Sequence, residues 1–81
     1  ERLFVDCSVN PVTVILPLNP QMGDEVRIID VTGNASTNNI TINRNGHAIE
    51  RAQDDLIIDV DRAAFGLVYY NATEGWVFME K

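Results

Sequence analysis

The chain has 81 residues and a mass of 9.1 kDa, with 46% hydrophobic and 22% charged residues, 5 glycines and 3 prolines. A chain of that length and composition is one small packed domain, which excludes multidomain, collagen-like, coiled-coil and disordered proteins. The formal net charge of −6 and the sequence pI of about 4.4 exclude a nucleic-acid binder that works by neutralising phosphates.

Basic residues stand singly at Arg2, Arg27, Arg44, Arg51, Arg62 and Lys81, so no basic stripe exists. Apolar runs fall far short of the roughly 20 residues of a membrane-spanning helix, and no membrane partner is expected. Glu1 opens directly in strand-like sequence without the basic and apolar regions of a signal peptide, which reads as a piece of a longer chain.

In chain order the dominant hydrophobic period is two. Leu3, Val5 and Cys7 alternate with Phe4 and Asp6, so residues 1–10 read as a leading strand or linker before a single β domain over 11–81. Val12, Val14 and Leu16 follow, then Val26 and Ile28, then Ile40 and Ile42. Leu56, Ile58 and Val60 alternate with Asp55, Asp59 and Asp61; Phe65, Leu67 and Tyr69 come next, and Trp76 and Phe78 close the series. Turn clusters rich in Gly, Pro, Asn and Asp separate these seven short strands, and Asn45-Gly46 is the sharpest of them, suited to a tight hairpin. Residues 47–53 lack Gly and Pro and carry a weak helical stripe, Ala48, Ile49, Ala52 and Leu56, as a competing local possibility. The fold expected is all-β, a small antiparallel β sandwich or barrel-like domain.

Domains this small commonly need a disulfide, a metal or a partner subunit. Cys7 is the one cysteine, which removes an intrachain disulfide; with no cation beside it in sequence it reads as a small buried hydrophobe. His47 is the one histidine, so a zinc site of Cys and His ligands cannot form within one chain, and no cofactor is expected. A partner remains. If Val26 and Ile28 face the core, Ile29 and Val31 face away; the same alternation leaves Val68 and Tyr70 opposite Phe65 and Leu67, and Val77 and Met79 opposite Trp76 and Phe78. Two apolar faces in so short a chain point to a homo-oligomer whose interface uses Ile29, Val31, Val68, Tyr70, Val77 and Met79.

Signals for catalysis are weak. Asp54, Asp55, Asp59 and Asp61 cluster, yet they match neither a calcium loop nor the spaced carboxyl pair of a glycosidase, and a solvated acidic strand explains them; a calcium-binding or carboxylate-dependent hydrolase module is the minor alternative. Ser8 and Ser36 lack a nucleophile turn, and the isolated glycines form no phosphate loop. Three N-glycosylation patterns, at Asn34, Asn39 and Asn71, are short enough to arise by chance in an Asn-rich chain. Tyr70, Asn71 and Trp76 flank the last turn and could offer a flat ring and an amide to a glycan, although anchoring a hairpin or an interface accounts for the same residues.

The order and spacing of several short motifs are informative together. Leu16-Pro17, Gly23-Asp24-Glu25-Val26 running to Asp30, Asn38 to Gly46 with Ile49, Asp54-Asp55-Leu56 with Asp59, and Ala64 to Tyr70 with Gly75-Trp76 resemble a β module of tail fibres and related virion structural proteins of tailed bacteriophages. The resemblance runs from about Pro11 to Phe78 and does not include residues 1–9. It implies a noncatalytic homotrimer in the virion that connects, caps or displays particle components, with itself and neighbouring virion proteins as partners. A receptor-binding tip recognising host surface glycan, or a capsid decoration protein, are the variants of that role.

Overall fold

The computed structural model describes residues 2–80 and contains, among them, seven strands and no helix. They are β1 (Arg2–Val5), β2 (Val12–Ile15), β3 (Glu25–Asp30), β4 (Ile40–Asn43), β5 (Leu56–Ile58), β6 (Ala64–Asn71) and β7 (Gly75–Glu80). The all-β expectation holds, because the period-two pattern puts one side of each strand inward at nearly every position. In β3, for example, Val26, Ile28 and Asp30 are buried while Arg27 and Ile29 are half-buried on the other side.

Two sheets form, a four-stranded one in the order β1-β3-β6-β7 and a three-stranded one in the order β2-β4-β5. Their inner faces share one core, to which Val26, Ile28, Leu67 and Trp76 contribute from the first sheet and Ile40 and Ile42 from the second. The sheets are mixed, where an antiparallel arrangement was expected: β1 pairs with β3, and β2 with β4, in parallel. The reason is the route of the chain. From β1 to β4 it changes sheet at every step, so each of these pairs is joined through a strand of the opposite sheet, and such a crossover returns the chain in the same direction. From β5 onward neighbours run antiparallel, ending in the β6–β7 hairpin.

The leading segment belongs to this architecture: Arg2–Val5 is an integral strand, and Val5 and Cys7 lie in the core. Behind them sits the buried Asp30, 1% exposed. Its carboxylate accepts the backbone N–H of Gly33 at 3.0 Å, Asn34 at 3.4 Å, Ala35 at 3.1 Å and Arg62 at 3.0 Å, and the Cys7 thiol approaches it at 3.5 Å. One side chain thus ties β3 to the loop after it, to the turn before β6 and to the segment after β1.

The helical alternative for residues 47–53 is not what forms. Glu50 and Arg51 both take positive φ, at 50° and 68°, and Ile49 and Ala52 exchange both backbone hydrogen bonds across them, which makes a tight two-residue reverse turn. This turn is docked on β7: Trp76 N–H donates to the Ala48 carbonyl at 2.8 Å, and Glu50 N–H donates to the Trp76 carbonyl at 2.7 Å. Asn45 and Gly46 also take positive φ and form the expected tight turn, closed by His47 N–H to the Arg44 carbonyl at 3.1 Å. It does not join paired strands directly, because the chain first visits β7 and only then returns as β5 beside β4.

Candidate functional site

The outer face of the four-stranded sheet carries apolar side chains together with a charged pair. Strand register arranges it in rows: Phe4, Ile29 and Ala64 stand side by side, then Arg2, Arg27 and Gly66, then Glu25, Val68 and Val77. Arg27 Nε donates to Glu25 Oε2 at 3.0 Å, so the charged pair lies along one strand between apolar rows. Met79 enters at a bulge in the β6–β7 ladder, where its side chain lies over the bare backbone of Gly66. A shallow depression of about 330 Å³, lined by Arg2, Phe4, Arg27, Ile29, Ala64 and Phe65, opens at the β1 end.

The six residues expected at an oligomer interface all project to this side by alternation. Ile29, Val68 and Val77 are half-buried, while Val31, Met79 and Tyr70 are exposed, Tyr70 to 51%. The structure adds Phe4, which is 68% exposed and which the sequence reading left out. Phe4 falls out of phase between Leu3 and Val5, and an out-of-phase aromatic in a leading strand was the available signal.

The expected glycan contact is not assembled. Trp76 is fully buried, with its ring edge-on to Tyr69 at a centroid distance of 5.5 Å, so it presents no face to a ligand. Its Nε1–H finds no acceptor among the described residues. Asn71 Oδ1 accepts the N–H groups of Thr73 at 3.0 Å and Glu74 at 2.7 Å, which caps the β6–β7 turn and occupies that oxygen. Tyr70 alone of the three offers an exposed ring.

The acidic cluster is divided between structural tasks. Asp55 Oδ1 accepts the Arg44 N–H at 2.9 Å, and Asp61 Oδ1 accepts the Ser36 N–H at 2.9 Å. Among the described residues no three Asp, Glu, His or Cys side chains converge on a point where a metal ion would sit. His47 Nε2 lies 2.6 Å from the Leu18 carbonyl, and the ring packs edge-on against Tyr69, a structural role.

Electrostatics at the buried pair of Cys7 and Asp30 follow from their surroundings. Burial raises the carboxyl pKa of Asp30, but the N–H groups of Arg62, Ala35, Gly33 and Asn34 outweigh it and bring the value from 3.8 down to about 2. Burial pushes the Cys7 thiol up, and the neighbouring Asp30 carboxylate pushes it further, which makes it a poor nucleophile. No protein-family model matches this chain, and no curated protein matches it.

Proposed function

We propose that the chain is a noncatalytic structural module of a tailed-bacteriophage virion that self-associates as a trimer to connect, cap or display parts of a tail fibre or similar appendage. The observation that carries the self-association is the apolar outer face of the four-stranded sheet, with Phe4, Tyr70, Val31 and Met79 exposed around half-buried Ile29, Val68 and Val77. A domain of 81 residues leaves that much apolar surface uncovered at a cost, and covering it against two further copies replaces the larger core the single chain lacks. The virion role is supported by the order and spacing of the motifs between Pro11 and Phe78. Within that role the connector reading is preferred to a glycan-binding tip, because Trp76 is buried and Asn71 Oδ1 is occupied.

Two experiments test the two halves. An antibody raised against the chain should label an appendage of purified phage particles, and particles from which the chain is absent would contradict the virion role. Val77→Lys, which sets a charge in the middle of the face, should give a folded chain that no longer forms trimers.

A further inference from the structure

The four-stranded sheet has two edges, and they are treated differently. At the β7 edge, Trp76 is hydrogen-bonded through both its N–H and its carbonyl to the turn carrying Glu50. One pleat further on, the Phe78 N–H donates to Glu50 Oε2 at 2.7 Å. A backbone segment and a side chain thus close that edge. β1 stands at the other edge and, among the described residues, pairs with β3 alone. The Val5 carbonyl accepts the Val31 N–H at 3.1 Å, which turns Val5 toward β3; by strand alternation the N–H and carbonyl of Phe4 then point outward, away from the sheet.

We infer that β1 is a self-recognition edge, which pairs with β1 of a second copy antiparallel across a two-fold axis at Phe4. The sequence Arg2-Leu3-Phe4-Val5-Asp6 selects this register. Centred on Phe4, it sets Arg2 opposite Asp6 of the second copy on the outer face, twice by symmetry, and Leu3 opposite Val5 on the inner face. Two exposed Phe4 rings meet at the axis as a cross-strand aromatic pair. Centring on Leu3 or Val5 puts Phe4 opposite a charged residue and loses the Arg2–Asp6 pairing. The Asp6 carboxylate already accepts the Ser8 N–H at 3.0 Å and hydroxyl at 2.6 Å through one oxygen, which holds it in place while its other oxygen has no partner among the described residues. The two-fold pair uses the β1 edge of both copies, and the opposite edge of the same sheet is covered at Trp76 and Phe78, so this sheet does not continue as a fibre.

The backbone of this edge is separate from the sheet face proposed to form the trimer, but the Phe4 ring belongs to both, so the edge is tested apart in the Val77→Lys variant, where the face contact is removed. A short edge buries much less than the roughly 1,200 Å² of a stable interface, so the contact is weak and appears as concentration-dependent doubling in sedimentation equilibrium. Arg2→Asp and Asp6→Arg each replace two attractive pairs by two repulsive ones and should weaken doubling about tenfold. The double variant carrying both changes restores opposite charges and should recover it. Doubling that is unaffected by the single charge reversals, or not recovered in the double variant, overturns the proposal. A second measurement does not depend on charge. The directly opposed positions lie about 5.5 Å apart between Cα atoms, within disulfide range, so in the Val77→Lys background, where the trimer face is disabled, Phe4→Cys should form a covalent dimer on mild oxidation much faster than Ile15→Cys at the β2 edge. Equal rates contradict it.

Discussion

Asp30 shows how a single residue can hold three parts of the chain together and leave little trace in sequence. Its neighbours in space are the N–H groups of residues 33–35 and of Arg62, 32 positions away, and no local pattern announces that convergence. With a folded pKa of about 2 against an ordinary 3.8, its charged form stabilises the fold. That contribution, about 2 kcal/mol, is fully present above pH ~4 and is lost progressively as pH falls toward 2. Asp30→Asn keeps the shape but offers one acceptor oxygen and brings an N–H₂ against backbone donors. It should lower stability by about 2 to 3 kcal/mol in urea titrations and flatten this part of the acid dependence. Gly75 is the second sensitive position. It has φ +72°, and a Cβ there would overlap the Ala48 carbonyl, so Gly75→Ala should cost about 3 kcal/mol or more by the same measurement. Cys7, by contrast, was readable as buried from alternation alone, whereas Trp76 had two competing sequence readings, a core anchor and a ligand platform. Burial against Tyr69 decides for the anchor.

Among the elements, the strands themselves were legible because a half-buried strand writes its period into the sequence. Their partners were not. Parallel pairing of β1 with β3 and of β2 with β4 follows from the chain crossing between sheets, which no short window records. The segment from His47 to Gln53 was ambiguous for a related reason. Its turn at Glu50 and Arg51 uses positive φ at residues that rarely adopt it, and the conformation is held by hydrogen bonds to β7 rather than by local preference. The Glu50 carboxylate completes the closure of that edge. Glu50→Ala should therefore destabilise the domain by about 1 kcal/mol and accelerate hydrogen exchange at the Phe78 amide, while Glu50→Gln, which keeps an acceptor, should restore protection. Unchanged exchange at Phe78 in Glu50→Ala would show that the carboxylate is not what closes the edge.

At the scale of the molecule, the central feature is a sheet with two apolar sides. One is spent on the core shared with the second sheet. The other displays Phe4, Ile29, Val68, Tyr70, Val77 and Met79 around the Arg27–Glu25 pair. Most of this face was legible, since residues out of phase with the core are apolar in β3, β6 and β7. Phe4 is the exception, because one out-of-phase aromatic in a four-residue strand makes no periodic pattern of its own. This outer face is the proposed subunit interface, and sedimentation equilibrium of the chain at low micromolar concentration tests it most directly. A species of about 27 kDa, three times 9.1 kDa, that is reduced to folded monomer by Val77→Lys is the predicted result. A stable, folded wild-type monomer at that concentration would contradict it.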